Sequence, residues 1–268
     1  MRAIQPYFAL SASKYYKREL TKHGISHIYE YKSDLSSDLH TLVVPDASID
    51  ILFDLTDYSY KPYAAGSVLQ STAIDTKKDH KYFGVRFVPG VVPDFLDGRF
   101  KDFLDNTIEL EACLRKRDLI DKLNDAKTFL NKVEVFLNFY NDKNKPAWKN
   151  STYDIYSYAR KCINNSKGLI RVNELESELN YSVRYINKLF NEYCGLSPKA
   201  YSNIIRFQTT LDQLNREPNN SFTSISEAHG YYDQAQFIRE FKKFTTKTPA
   251  VYRKLVNTSN YSDKFIFQ

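Results

Sequence analysis

Residues 182–201 read SVRYINKLFNEYCGLSPKAY, and residues 233–252 read DQAQFIREFKKFTTKTPAVY. Aligning the proline of each stretch, Pro198 with Pro249, also brings phenylalanines and a tyrosine of the two stretches into the same positions. Repetition of this kind is typical of one supersecondary unit used twice. We therefore expect two copies of the same unit in the C-terminal part of the chain.

Each stretch predicts a short helix with one buried face, because its apolar residues recur at helical spacing. Gly195 follows the first helix, where a glycine readily takes the left-handed conformation that ends a helix. Ser197-Pro198 and Thr248-Pro249 then predict new helices, each with a hydroxyl as N-cap and proline at the first helical position. The apolar positions are Ile186, Leu189, Phe190 and Tyr193 in the first copy, and Phe237, Phe241 and Phe244 in the second.

A further helix precedes each stretch. Asn173 predicts the N-cap of a helix that ends near Leu179, with Glu176 in the position of a capping box. Asn180-Tyr181 follows as a tight turn. The corresponding residues of the second copy are Ser221 or Thr223 as the N-cap and Gly230-Tyr231 as the turn. A helix, a short turn and a second helix with an apolar inner face describe a helix-turn-helix.

These residues resemble the doubled helix-turn-helix DNA-binding domain of AraC/XylS-type transcription regulators. The resemblance covers residues 151–255 and is carried by LFNEYCGLSPKAY in the first half and GYYDQAQFIREFKKFTTKTPAVYR in the second. It implies a sequence-specific DNA-binding transcription regulator, with activation the commoner role. Three positions depart from the family's pattern, since Glu176 stands where alanine is usual, and Asn180 and Thr246 each replace a glycine. Because asparagine tolerates the left-handed conformation, the first turn can still form.

The outer faces of the two repeated helices carry the residue types that read base edges in the major groove. The resemblance implies base contacts by Arg184 and Arg239 and phosphate contacts by lysines such as Lys243. The alternative is that these charged faces are merely solvated. The DNA-binding residues carried over from matching positions of the family's motif are Ser182, Arg184, Tyr185, Asn187, Lys188 and Lys199 in the first copy, and Gln234, Gln236, Arg239, Lys242, Lys243 and Lys247 in the second.

The N-terminal part of the chain predicts strands rather than helices. In residues 49–54, apolar residues alternate with Asp50, Leu52 and Asp54, which predicts a strand with one wetter face. Short strands without intervening helices favour a small barrel or sandwich. We therefore expect an α+β chain, with an N-terminal antiparallel β barrel or sandwich and packed helices, followed by an all-α C-terminal domain. The expected strands are residues 27–31, 39–44, 49–54, 64–69 and 82–88.

The runs VVPDASIDILFDL and KYFGVRFVPG resemble, more weakly, the cupin-like N-terminal domains of some AraC-type regulators. Two alternatives stay open for the barrel interior: a pocket for a small apolar or sugar-like effector, or a filled core. A metal-dependent cupin enzyme fused to a DNA-binding domain is the alternative function, because histidines can serve as metal ligands. The available histidines are His23, His27, His40 and His80, and only the first two are close in sequence. We therefore expect no metal, no cofactor and no enzymatic activity.

Beyond residue 91 the apolar period becomes helical. Residues 94–104 and 108–114 predict short helices, and residues 126–140 carry the strongest apolar stripe of this half. The stripe either packs on its own barrel or contributes to a homodimer, as resemblance to the family implies. The candidate dimerisation residues are Phe129, Val133, Phe136, Leu137 and Tyr140.

Four regions follow from these patterns. Residues 1–140 are the expected cupin-like domain for effector binding or dimerisation, and residues 141–150, NDKNKPAWKN, are a polar linker that lacks periodicity. Residues 151–256 are the expected DNA-binding domain, and residues 257–268 a loosely held tail. Within the DNA-binding domain, residues 200–214 predict a long helix that joins the two motifs. A stiff connection of this kind suits two helices that enter successive major-groove turns of double-stranded DNA.

Composition agrees with a DNA-binding protein inside the cell. The net charge is +6, and residues 151–268 hold 16 Lys and Arg against 11 Asp and Glu, which suits a phosphate-bearing partner. The three cysteines, at positions 113, 162 and 194, lack metal-ligand spacing and predict reduced thiols. No apolar run is long enough to cross a bilayer, so we expect a cytoplasmic protein without membrane contact. Further candidate partners are a small-molecule effector, a second copy of the chain and RNA polymerase.

Overall fold

The structure is a computed structural model that describes residues 3–20, 24–34, 41–56, 62–74, 76–96, 98–110, 118–143 and 151–268. Strands dominate the N-terminal half and helices the C-terminal half, which confirms the expected α+β class. The expected strand at residues 39–44 lies partly outside the described residues, as do His23, His40, Cys113 and most of the expected linker with Trp148. The domain boundaries stay predictions.

The described strands form a seven-stranded sheet in the order β8-β5-β4-β7-β2-β1-β9 and a two-stranded sheet of β3 and β6. Neighbours in the large sheet are antiparallel, except that β9 runs parallel to β1. The strands are β1 Ala12–Glu19, β2 Ile25–Ser33, β3 Thr41–Val43, β4 Asp50–Asp54, β5 Tyr63–Ala65, β6 Thr72–Ile74, β7 Lys81–Phe87, β8 Thr107–Glu109 and β9 Phe265–Phe267.

The face of β4 that we expected to be wetter is largely buried. Leu52 and Asp54 are 3% and 5% exposed. The carboxylate of Asp50 accepts hydrogen bonds from Nε and a terminal nitrogen of Arg86, whose side chain is fully buried. The alternation is real, but the side chains on both faces of the strand are largely buried, and Asp50 and Leu52 line a cavity.

Helices frame the sheet and build the C-terminal half. The helices are α1 Pro6–Leu10, α2 Phe100–Phe103, α3 Asp118–Asp125, α4 Phe129–Lys143, α5 Ser151–Asn165, α6 Val172–Leu179, α7 Val183–Tyr193, α8 Pro198–Arg216, α9 Phe222–Ala228, α10 Gln234–Thr245 and α11 Pro249–Thr258. None of the described helices is long and apolar enough to cross a membrane.

The apolar stripe of α4 packs on the chain's own sheet. Phe136 meets Phe53 of β4 with ring centroids 6.4 Å apart, and Phe129 meets Phe83 of β7 at the same distance. Four of the five candidate dimerisation residues, Phe129, Val133, Phe136 and Tyr140, are therefore core residues. Leu137 remains half-buried. A partner surface built on the other four would require them to leave the core.

Two of the expected short helices differ from the structure. Among the described residues of the range 94–104, only Phe100–Phe103 is helical. The expected helix at residues 108–114 is wrong in its described part, because β8 pairs there with β5, placing Ile108 opposite Ala64. Pairing with β5 satisfies the backbone groups of these residues. The local spacing of the apolar side chains does not indicate this pairing.

The last residues of the chain return to the N-terminal sheet. After α11, a 3-10 turn at Tyr261–Lys264 leads into β9, whose residues pair with residues 15–17 of β1. The ammonium of Lys264 donates to the backbone oxygen of Leu10 at 2.9 Å, and Tyr261 is buried. The expectation of a loosely held tail is therefore wrong. A three-residue strand is too short to show a periodic pattern in the sequence.

Polar side chains of the helical half also bond the N-terminal half. Gln208 of α8 is fully buried; its amide oxygen accepts from the backbone N–H of Ile4 at 2.7 Å, and its amide nitrogen donates to the oxygen of Pro45 at 2.8 Å. Arg160 of α5 donates to the oxygen of Pro89 at 2.7 Å. These bonds reach residues just before α1, just after β3 and just after β7. The helical half is thus fastened to the sheet on α5, α8 and the C-terminal strand.

Candidate nucleic-acid interface

The first helix-turn-helix consists of α6, a turn at Asn180 and α7. Asn180 has a φ of 55° and takes the left-handed conformation expected for it. Ser182 caps α7 by accepting a hydrogen bond from the backbone N–H of Tyr185. The inner face of α7 is buried as predicted, with Ile186 and Phe190 at 1% and 0% exposure. This packing presents the opposite face of α7 to solvent.

The start of α6 differs from the expected one. The N-cap is Arg171, and the carboxylate of Glu174 accepts from its backbone N–H at 2.9 Å. Asn173 is therefore inside the helix, and Glu174 rather than Glu176 completes the capping interaction. Glu176 instead accepts a hydrogen bond from the backbone N–H of Val183 at 3.3 Å. The residue that departs from the family's pattern thus ties α6 to the first turn of α7.

The second helix-turn-helix consists of α9, a turn at Gly230 and α10. Ser221 caps α9, accepting from the backbone N–H of Ser224 at 3.1 Å, which is one of the two expected caps. At the start of α10, Asp233 accepts from the backbone N–H of Gln236 at 2.6 Å. Phe237 and Phe241 are fully buried, as their spacing predicts.

The long helix α8 connects the two motifs and is longer than expected. It has 19 residues, which corresponds to about 28 Å at the usual rise. Arg206, near its middle, pairs with Glu240 of α10 at 2.7 Å and lies over the ring of Tyr231 at 4.3 Å. These contacts hold the second motif against α8.

Gly168 lets the first helix of the domain lie close to α8. Its φ is +78°, and a Cβ at this position would collide with the backbone oxygen of Ser202. A side chain would therefore push α5 and α8 apart. Close packing of α5 on α8 therefore explains why a glycine stands at this position of the motif.

The predicted DNA-contacting residues all lie on or next to α7, α8 and α10, but they are not equally available. The exposed ones are Ser182, Arg184, Lys188, Lys199, Gln234, Arg239, Lys242 and Lys243, whereas Tyr185, Asn187, Gln236 and Lys247 are half-buried. Within the described part of the chain, no hydrogen bond or ion pair occupies the guanidinium of Arg184 or Arg239. Both are therefore free to meet a ligand.

Three predicted amides already make hydrogen bonds within the protein. The nitrogen of Asn187 donates to the backbone oxygen of Val183 at 2.8 Å. The oxygen of Gln234 accepts from the hydroxyl of Thr223 at 2.9 Å, and the oxygen of Gln236 accepts from the backbone N–H of Tyr232 at 2.7 Å. Gln236 thus holds the turn before α10. Each amide keeps a further donor or acceptor position, but its present bond limits how it can turn toward the two atoms of an adenine.

The turn before α10 also contains a residue that the sequence reasoning did not single out. Tyr232 is 93% exposed, whereas Phe267, the next most exposed large apolar side chain of the described residues, is 65% exposed. Its position one residue before the N-cap Asp233 could have drawn attention to it.

A cavity of about 760 Å³ lies in the N-terminal half. Alternate residues of β4, Ser48 just before it and then Asp50 and Leu52, face the cavity, and so do alternate residues of β5, β6 and β8. Burial raises the pKa of Asp46 at its base to about 6, against the opposing effect of the Arg86 guanidinium. Among the described residues, no group of three or more His, Cys, Asp and Glu side chains is arranged to hold a metal.

Comparison with known proteins agrees with this geometry. Residues 175–255 match a family described as a helix-turn-helix domain, and residues 18–109 match a family described as a domain of unknown function. The chain is 30% identical over 110 residues to the Msm operon regulatory protein of Streptococcus mutans serotype c, covering 41% of this chain and 39% of that protein. It is 25% identical over 166 residues to the uncharacterized HTH-type transcriptional regulator YisR of Bacillus subtilis, covering 62% and 53%.

These matches span about half, or less, of the length of the curated relatives. Among solved structures, ToxT from Vibrio cholerae O395 is similar over 91% of this chain and 96% of that chain, with 11% identity and a TM-score of 0.43. The C-terminal half of the chain carries a helix-turn-helix domain. That domain is of the AraC type, as the doubled motif of the sequence indicates.

Proposed function

We propose that this chain is a sequence-specific DNA-binding transcription regulator of the AraC/XylS type. The observation that carries the proposal is the pair of helices α7 and α10, each seated by a buried apolar face and each presenting an exposed basic face, on one rigid connecting helix. An α-helix fits the major groove of B-DNA. Regulation of transcription, rather than catalysis, is the activity that we assign to the chain.

We assign base contacts to the exposed side chains of α7 and α10. Arg184 and Lys188 project from α7, and Arg239 from α10; guanidinium and ammonium groups donate to the O6 and N7 atoms of guanine. Lys242 and Lys243 are exposed in the last turns of α10. We assign them, with Lys199 and Lys247, to phosphates, whose contacts fix the register of the protein on the duplex.

The two reading helices enter successive turns of the major groove, about 34 Å apart. The length of α8 and the Arg206–Glu240 pair support this spacing, because they leave the second motif little freedom to move relative to the first. A site of two half-elements on one face of the duplex is the expected target.

The cavity in the N-terminal half is the proposed site of a small-molecule effector. Its volume suits a small metabolite. Gln5 lines the cavity and donates to the carboxylate of Asp46 at 2.9 Å, while its neighbour Ile4 donates to Gln208 of α8. A ligand that moves Gln5 would therefore also affect the bond between Ile4 and Gln208 of α8, the helix between the two motifs. We also propose that the protein activates transcription through RNA polymerase, that it forms a homodimer and that it is cytoplasmic.

Selection of bound sequences from random duplex DNA tests the proposal with the full chain. We expect enrichment of a bipartite sequence whose halves lie about one helical turn apart. Repeating the selection with sugars and other small metabolites shows whether an effector changes the affinity. Failure to enrich any sequence at moderate ionic strength, with folded protein, would contradict the proposal.

A further inference from the structure

The turn before α10 is one residue longer than the turn before α7. From the left-handed Asn180, one residue, Tyr181, leads to the N-cap Ser182. From the left-handed Gly230, two residues, Tyr231 and Tyr232, lead to the N-cap Asp233. The second turn therefore carries an extra residue.

The tyrosines of the two turns have different surroundings. Tyr181 packs against Tyr185 with tilted rings whose centroids are 5.3 Å apart, and it is 41% exposed. Tyr231 is buried beneath Arg206 and packs on Phe237 at 5.3 Å. Tyr232, in contrast, is 93% exposed, and no described residue bonds its hydroxyl or stacks on its ring. The extra residue thus projects a large aromatic side chain into solvent.

The backbone that carries Tyr232 is nevertheless held firmly. Its N–H donates to the side-chain oxygen of Gln236 at 2.7 Å, and the backbone N–H of Gln236 donates to Asp233 at 2.6 Å. Holding the backbone leaves only the two side-chain torsions of the tyrosine to be ordered on binding. The side chain is therefore presented from an ordered backbone and loses little conformational freedom on binding.

The charges around Tyr232 indicate the kind of contact. Asp233 is exposed and carries a carboxylate that would repel a nearby phosphate. A tyrosine hydroxyl is a neutral donor that can reach past that carboxylate. Tyrosine is among the side chains that donate to phosphate oxygens in protein–DNA complexes, where contacts to phosphate and sugar outnumber those to bases.

We propose that the hydroxyl of Tyr232 donates a hydrogen bond to a backbone phosphate of the DNA beside the first turn of α10, and so sets how that helix enters the groove. The inference rests on the proposed function of α10 as a reading helix. Tyr232 is a positioning residue in this account, since it discriminates between sequences only by fixing α10. Loss of its contact should weaken binding by a similar factor on every sequence that α10 can occupy.

Binding of the full-length Tyr232→Phe variant to a selected DNA site tests this. We expect its affinity to fall about tenfold, since a hydrogen bond to a charged group is lost. The slope of log affinity against log salt should stay as in the wild type, because a neutral hydroxyl releases no counterion. Lys243→Ala, compared in parallel, should lower that slope by about one. Tyr16→Phe removes the same hydroxyl from β1 and should bind as the wild type does.

A second measurement locates the partner atom. Replacing single phosphates of the site by neutral methylphosphonates should reveal one position at which wild type and Tyr232→Phe bind equally, since the shared contact is already gone. Equal affinity of the two proteins on unmodified DNA overturns the inference, and so does a loss confined to one base sequence. Loss of transcriptional activation with unchanged DNA affinity would assign Tyr232 to a protein partner and also overturn it. If the wild-type chain prefers no DNA sequence, the proposed function fails first.

Discussion

At the scale of single residues, the free guanidinium of Arg184 is the feature most directly linked to the proposed reading of DNA sequence. It is exposed on α7, two residues after the cap Ser182, where the first turns of a reading helix meet base edges. Asn187, three residues further on, returns its amide nitrogen to the backbone of its own helix. The resemblance to the family implied DNA contacts by both residues. Only the three-dimensional arrangement separates them, because an asparagine can satisfy itself locally and this arginine does not.

Replacing Arg184 with alanine should weaken specific binding by about 1 to 3 kcal/mol and relax the preference at one base pair. Electrophoretic mobility shifts on the selected site and on single-base variants measure both effects. Arg18, exposed on β1, provides the matched control, and Arg18→Ala should leave the affinity unchanged. An unaltered base preference in Arg184→Ala would remove the residue from the reading face.

Thr246, after α10, takes the left-handed conformation with a φ of 63°. This conformation costs a residue with a Cβ roughly 1 to 2 kcal/mol, whereas glycine adopts it freely at some cost in the entropy of the unfolded chain. Thr246→Gly should therefore raise the free energy of unfolding by about 0.5 to 1 kcal/mol. Thermal unfolding at fixed pH measures the change. A lower midpoint would show that the hydroxyl bond of Thr246 to Thr245 matters more than the strain.

His229 at the end of α9 makes stability depend on pH. Burial lowers its pKa, and the charges of Lys167 and Arg206 lower it further. A histidine with a depressed pKa in the folded state contributes stability that is present above its unfolded pKa of about 6.5 and is lost as the pH falls. Unfolding by urea between pH 7.5 and 5 should thus show a decline that His229→Gln reduces. Parallel pH profiles of the two proteins would contradict the assignment.

At the scale of elements, the short strand β9 fastens the end of the DNA-binding domain to β1. The repeated helices were predictable because each combines a cap, an apolar face and a proline-led successor within about twenty residues. The edge strands β8 and β9 were not, because three-residue strands acquire their stability from partners distant in sequence. The cap of α6 was misplaced by two residues for a local reason: several polar residues near Asn173 could serve, and the backbone geometry selects Arg171.

Ending the chain at Asn260 should expose β1 as a sheet edge. We expect faster hydrogen exchange at the backbone amides of residues 15–17, which face β9, and unchanged exchange at the central strand β7. Mass spectrometry of the exchanged peptides measures this. Equal protection of residues 15–17 in both chains would show that β9 adds nothing to the stability of the sheet edge.

At the scale of the whole molecule, the sheet and the helical half are joined by polar bonds, some of them buried and some half-exposed. Gln208 satisfies Ile4 and Pro45 together, and Arg99 of the N-terminal half pairs with Glu192 of α7 at 3.2 Å. The sequence predicted a polar linker between two domains, and most of that linker lies outside the described residues. Contacts between distant parts of a chain leave no periodic mark in the sequence, so this fastening could not be predicted from it.

Gln208→Leu keeps a similar volume but leaves the N–H of Ile4 and the oxygen of Pro45 without their partner. Each unsatisfied buried group costs about 1 to 3 kcal/mol, so the free energy of unfolding should fall by at least about 1 kcal/mol. Chemical denaturation measures the loss. Gln70→Leu, at an exposed position before β6 where the amide side chain bonds no described residue, is the control for the substitution itself. Equal stabilities of Gln208→Leu and the control would show that the interface does not depend on this amide.

The central claim is that α7 and α10 enter two successive major-groove turns on one face of a duplex. Hydroxyl-radical and base-methylation footprinting of the full chain on its selected site measures this directly. We predict two protected major-groove tracts whose centres lie about 10 base pairs apart, with loss of the first in Arg184→Ala. A single protected tract, or two tracts on opposite faces of the duplex, would contradict the account.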